Sequence, residues 1–377
     1  MKSSSRASLV HLRATIIVAT LVLTSIGILS IYSSSGVTAF YRFGDALYFA
    51  KKQAAVAVVG LLTIFLVDFI PLHWLKRAAL PALVVAFLLL VACLLPPFAH
   101  RVNGATRWIS IMGITFQPAE IAKIALLLFL AQNLSRKSIL LSPISKGLSP
   151  CLFALAILTV PMMLQPDFGS SFLLVILTVL MLFVAGLPLR LIAFGSALGL
   201  PFAAYAIYRA PYRLARFMSF LDPWAEAKGG GFQIIQSYLG FRNGGLMGQG
   251  LGESKQKLFF LPEAHTDFIL SVVGEELGLV GVLVIIAAFV VLVAAGYRIA
   301  YCQKDPFCRY LAFGISSMIA SQAALNLGVV MGLLPTKGIP LPFISNGSTC
   351  LLVFMCSTAV LVRLSKNYET SSAPDAR

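Results

Sequence analysis

Ala14–Tyr32, ATIIVATLVLTSIGILSIY, carries no charged residue and is close to the roughly 20 apolar residues that a helix needs to cross a bilayer. Lys2, Arg6 and Arg13 precede it, as in a secretory signal. No small-residue cleavage site follows and further apolar runs do, so the stretch reads as an uncleaved first membrane helix. Comparable runs recur at about 53–70, 78–95, 117–134, 150–165, 168–186, 189–208, 267–296, 309–333 and 345–363. The expectation is an all-α polytopic membrane protein with ten transmembrane helices over residues 14–366. One long extracytoplasmic loop, 209–266, separates helices 7 and 8. Residues 1–13 and 367–377 read as a cytoplasmic N-terminus and a polar, disordered tail. Gln165-Pro166-Asp167 and Gly186-Leu187-Pro188 read as tight turns between paired helices. Composition agrees: 59% of residues are hydrophobic and 11% charged, less than half the share in soluble domains.

A formal charge of +15 points to anionic headgroups or a diphosphate. Nucleic acid is not expected, because no basic segment stands clear of the apolar runs. Lys and Arg divide roughly 15 to 13 between the side of the N-terminus and the opposite side. Seven of the opposite set lie within 209–266; the short connections favour both termini in the cytoplasm. The outer basic excess calls for a functional explanation. Six cysteines form no CxxC pair and none falls in the long loop, so no disulfide framework is expected. His11, His73, His100 and His265 share no metal-ligand spacing.

Polar constellations punctuate the apolar runs. In Arg101–Ile109, RVNGATRWI, Arg107 and Trp108 read as an interfacial anchor or as a headgroup platform in which Arg107 grips phosphate. In Phe116–Lys123, FQPAEIAK, Glu120 and Lys123 share a helix face, either as a structural ion pair or with Lys123 facing a polar cavity. Asp167 reads as a helix cap or as one ligand of a divalent cation. The long loop opens on Arg209, Arg213 and Arg216. Its glycines at 244–252, GGLMGQGLG, lack the ending of a Walker loop and read as tight turns in preference to close approach to a ligand. Lys337, in Leu334–Ser348, LPTKGIPLPFISNGS, snorkels to headgroups or binds a phosphate. Finally, Lys257–Gly281, KLFFLPEAHTDFILSVVGEELGLVG, carries Glu263, Asp267, Glu275 and Glu276; with Glu253 these are five of the chain's 14 acids. Thr266 or Asp267 falls at the N-terminus of the eighth helix, where an acid is a stabilising cap. A carboxylate kept ionised there can also accept a proton. Glu275 and Glu276, flanked by Gly274 and Gly278, read as packing or support groups.

NGATRWI, FQPAEIAK, QPDFGSSFLL, LPEAHTDFILSVVGEELGLVG and LPTKGIPLPFIS stand in the order and spacing typical of the SEDS family. These are the FtsW, RodA and SpoVE proteins of the bacterial cell wall, and the chain resembles them over nearly its whole length. The resemblance implies ten spans in the bacterial inner membrane and a peptidoglycan glycosyltransferase that polymerises lipid II on the outer side. The implied partner is a class B penicillin-binding protein, the crosslinking transpeptidase, together with divisome proteins. By matching position, Asp267 is the family's essential acid, and Trp108, Glu120, Lys123 and Lys337 match other family positions. Arg107, Arg213, Arg216, Glu263 and His265 complete the expected substrate contacts. Two departures stand out: the usual SYGGSS is Ser345-Asn346-Gly347-Ser348-Thr349 here, and an acid common in division-type members is Phe259. LPEAHTDF and PTKG look like the division-type FtsW, whereas IPLPFIS looks more like RodA or SpoVE; the division type is preferred.

The implied chemistry is inverting glycosyl transfer. An acceptor hydroxyl attacks the anomeric carbon and undecaprenyl diphosphate leaves, which calls for a base and for positive charge. Asp267 is the expected base, and Arg107, Lys123, Arg213, Arg216 and Lys337 are the expected diphosphate contacts. A divalent cation, Mg or Mn, is the one cofactor left open. The rival readings are a lipid II flippase using the same cavity and a scaffold that recruits the crosslinking enzyme.

Overall fold

The computed structural model describes residues 2–96, 99–102, 105–111, 114–136, 144–257, 261–262 and 264–371. Among these the helices are α1 (Lys2–Phe43), α2 (Tyr48–Val67), α3 (Leu72–Ala92), α4 (Pro118–Leu134), α5 (Ile144–Leu164), α6 (Phe168–Val184), α7 (Leu189–Tyr208), α8 (Pro211–Leu221), α9 (Phe232–Gly244), α10 (Ile269–Cys302), α11 (Pro306–Val330) and α12 (Ser348–Ser371). Among the described residues, seven helices are long and apolar enough to cross a membrane: α1, α2, α3, α5, α10, α11 and α12. The other three expected spans are α4, at 17 residues, and the shorter apolar stretches Phe168–Val184 and Leu189–Pro201. Two helix starts follow from local chemistry: Pro118 of α4 and Pro306 of α11 occupy first-turn positions, where no backbone N–H is needed.

The bundle is built around α11, which packs against α10, α4, α6 and α12. Its apolar window is 72% buried, against 22% for α3 at the periphery. Outward-facing Leu62, Phe65 and Leu66 of α2 are exposed, as expected of helices that meet lipid. At one end of the bundle Asp68 accepts ion pairs from Arg13 (3.1 Å) and Lys366, and Lys76 pairs with Asp305 (3.0 Å).

Three features correct the sequence reading. First, the chain is not all-α: β1 (Ala99–Val102), β2 (Ala105–Ile111) and β3 (Ile114–Phe116) form an antiparallel sheet in the order β1-β2-β3. His100 pairs with Trp108, and Val102 with Ala105 across Asn103-Gly104, a dipeptide that is a strong hairpin signal. Second, the loop 209–266 contains the helices α8 and α9, and α12 continues to Ser371 where a disordered tail was expected. Third, the glycines at 244–252 serve close approach as well as turns. A β-carbon at Gly244 or Gly248 would overlap the backbone of Gly274 or Glu276.

That contact coincides with a break in α10. Gly278 has φ +66° and ψ −165°, outside the helical region and in a left-handed conformation that glycine adopts readily. The backbone groups freed by the break bond to the glycine-rich loop: Gln249 and Gly250 donate to the Glu275 and Glu276 carbonyls (both 3.0 Å). In return Leu279 and Val280 donate to the Gly245 and Leu246 carbonyls (2.9 and 3.2 Å).

Candidate functional site

Asp267 is not the cap of α10. The helix begins at Ile269 with Phe268 in the cap position and no side-chain capping bond there, so Asp267 stands one residue earlier. What fixes its backbone is a set of three successive carbonyls. His265 O accepts from Asn346 N (3.0 Å), Thr266 O from Ser345 Oγ (2.6 Å) and Asp267 O from Asn326 Nδ2 (2.9 Å). Leu341 N donates to Ser345 Oγ (2.8 Å), and Gln53 Nε2 donates to Ser345 O (3.2 Å). Two loops far apart in sequence, 261–268 and 334–348, are thereby laced together. Ser345 and Asn346 belong to the segment that departs from SYGGSS, and both supply a donor. The half-buried Asp267 side chain lies against Gly338, where a β-carbon would stand 3.1 Å from its Oδ2.

Lys337, beside that contact, belongs to the wall of a cavity of ≈ 150 Å³. Arg107, Asp167, Phe168, Arg213, Arg216 and Gly338 also line it. The four cations come from three elements: Arg107 from β2, Arg213 and Arg216 from α8, Lys337 from the proline-rich loop. Arg107 is aimed by the α5–α6 turn, donating to the Gln165 carbonyl (3.4 Å) and the Pro166 carbonyl (2.5 Å). Phe168 lies between Arg213 (5.5 Å) and Lys337 (5.2 Å), and Lys337 also sits 4.1 Å from the Phe172 ring centroid. Such cation–π contacts hold charged heads that are partly withdrawn from water. Desolvation pushes the Lys337 ammonium below the ordinary lysine range. Asp167 caps α6, its Oδ1 accepting from Ser170 N (3.2 Å). Its Oδ2 is buried and makes no hydrogen bond among the described residues.

Other expected contacts lie elsewhere. Lys123 is not among the lining residues; it is 2% exposed and bonds to Glu120 (2.7 Å) and Gln322 Oε1 (2.6 Å), with the Phe354 ring at 5.4 Å. Of the five cations expected at a diphosphate, four line the cavity and this one is turned into the bundle. Trp108 and His265 are also outside the lining, and the His265 ring lies 5.1 Å from Phe49. Glu263 lies outside the described residues. Glu275 accepts from Asn243 (3.1 Å), Ser254 (2.5 Å) and Gln256 N (3.2 Å), and Glu276 pairs with Lys257 (3.1 Å). Both acids tie the long loop to α10. Sequence reasoning missed Gln322 and Asn326; two carboxamides four residues apart in an apolar span were the available signal.

A family model described as FtsW/RodA/SpoVE, cell cycle protein, matches residues 13–370. The chain belongs to this family. A member from Geobacter metallireducens, named "Probable peptidoglycan glycosyltransferase FtsW", is 45% identical over 91% of this chain and 92% of its own. Stage V sporulation protein E of Bacillus subtilis is 39% identical over 93% and 96% of the two chains. The fold is shared with a chain solved in work described as "Structural coordination of polymerization and crosslinking by a peptidoglycan synthase complex". That chain has a TM-score of 0.78 at 24% identity, over 94% of this chain and 97% of its own. Thermus thermophilus rod shape determining protein RodA gives a TM-score of 0.68 at 23% identity, over 93% and 96%.

Proposed function

We propose that this FtsW/RodA/SpoVE protein is a peptidoglycan glycosyltransferase that polymerises lipid II on the outer face of the cytoplasmic membrane during division. It crosses the membrane ten times with both termini in the cytoplasm, and works beside a class B penicillin-binding protein. The carrying observation is the convergence of Arg107, Arg213, Arg216 and Lys337 on one cavity beside the loop that presents Asp267. Positive groups fixed in advance, where a diphosphate develops charge as it leaves, stabilise the transition state without reorganisation. Asp267 takes the proton of the acceptor hydroxyl as that oxygen attacks the anomeric carbon. The relatives' names support the reaction and the division role.

A resident divalent cation does not fit the described lining. It offers one carboxylate, Asp167, among four cationic side chains, whereas Mg or Mn sites are built from oxygen donors. A flippase would draw on charges within the spans, yet Lys123 is paired with Glu120 and bonded to Gln322. The test is lipid II polymerisation by purified protein with its cognate penicillin-binding protein. Asp267→Ala should lower the rate about 10²–10⁴-fold, as loss of a general base does, while the chain still folds and binds its partner. Glycan made by Asp267→Ala at the wild-type rate would refute the assignment.

A further inference from the structure

We infer that Gln322 and Asn326 are positioning residues that set Asp267, itself outside the cavity lining, against Gly338 of the cavity wall, an inference that rests on the function proposed above. The two carboxamides stand four residues apart on α11, and so on one face of the helix. Both are buried, at 0% and 1% exposure. Asn326 Nδ2 donates to two carbonyls at once, Asp267 O (2.9 Å) and Ile339 O (2.8 Å). Gln322 Nε2 donates to the next carbonyl of the same loop, Pro340 O (2.9 Å). One helix face thus holds both walls of the contact between Asp267 and Gly338.

The loop needs this support because of its composition. Pro335, Pro340 and Pro342 have no backbone N–H, so the segment cannot build a ladder of its own. The buried ion pair on α4 completes the device. Lys123 Nζ has only donors, so the Gln322 atom facing it at 2.6 Å must be Oε1. That choice turns Nε2 toward Pro340 O. Lys123 therefore acts on the amide's orientation from inside the bundle, which gives a charge in an apolar span a role away from the cavity.

The experiment measures kcat and KM for lipid II polymerisation by the complete complex, with Asn326→Leu, Asn326→Asp and Gln322→Glu. Gln322→Glu keeps an acceptor for Lys123, loses the amide donor to Pro340 and adds a second carboxylate beside Lys123. Each variant should lower kcat about 10- to 100-fold, on the scale of a sub-ångström to 1 Å misplacement. KM should change less than kcat, because the four cationic side chains are all retained. Wild-type kcat in a folded variant would overturn the inference, as would a raised KM at unchanged kcat. Failure of all three to fold would also overturn it, in favour of a purely structural role. An active Asp267→Ala enzyme sinks the proposed function itself. An inactive Asp267→Ala enzyme beside fully active Asn326 and Gln322 variants sinks only this inference.

Discussion

Gly338→Ala tests Asp267 without removing it. The new β-carbon would stand 3.1 Å from Asp267 Oδ2 and 3.9 Å from its Cγ. Comfortable heavy-atom contacts begin near about 3.5 Å, so the carboxylate must withdraw by about 0.4 Å. If a 1 Å misplacement costs about 10²-fold, 0.4 Å lowers the rate about six-fold, a barrier increase of about 1 kcal/mol. Gly338 is not among the glycines with positive φ, so the backbone accepts alanine without strain. Gly347→Ala is the matched control: its β-carbon meets Cys350 Cβ at 3.4 Å, on the same proline-rich segment but away from Asp267 and outside the cavity lining. The assay is the initial rate of lipid II polymerisation by each variant with its partner, beside thermal unfolding in detergent. Gly338→Ala should slow the reaction about six-fold and Gly347→Ala less than about two-fold, with similar melting temperatures. Equal effects, or none at Gly338, would refute the idea that the rate depends on where this carboxylate sits.

Two further outcomes follow from charges described above. Because desolvation lowers the Lys337 pKa from 10.5, raising the pH should discharge it before an ordinary lysine. Activity should fall on the alkaline side below the usual lysine range, and Lys337→Arg should move that fall upward in a pH–rate profile. Stability carries the opposite sign: the unfolded chain keeps this proton to higher pH, so the folded state gains as pH rises through the lowered pKa. Lys123→Met should strip Glu120 of its buried partner and destabilise the bundle by about 3–5 kcal/mol, and adding Glu120→Leu should recover most of that. Unfolding curves in detergent decide it, and a single variant as stable as wild type would count against a buried pair.

The apolar periodicity made most of the helical bundle readable, because lipid demands long uncharged runs and tight turns between them. The hairpin turns at 165–167 and 186–188 reappear between α5, α6 and α7. The sheet was missed although Asn103-Gly104 marks a hairpin, since Arg107 and Trp108 drew attention as individual groups. In α8, apolar Leu214, Phe217, Met218 and Leu221 keep helical spacing, but the flanking arginines masked the pattern. At the site, residue types announced the cations and Asp267. Their convergence is tertiary: nothing local to Arg107 says that the 165–166 carbonyls will aim it. The cap expected at Asp267 failed by one residue, because bonds from Asn326, Ser345 and Asn346 outweigh local capping preference there.

The break at Gly278 divides α10 into a short stub and a long apolar rod. Bonds from Asn243, Ser254 and Lys257 fasten the stub to the long loop. The rod's leading amides are satisfied by Gly245 and Leu246 instead of by the helical turn before them. When bilayer thickness changes, spanning helices tilt to match it. Here a tilt of the rod would reach the turn that presents Asp267 through these bonds to the loop and through Asn326 of α11, as well as along the helix itself.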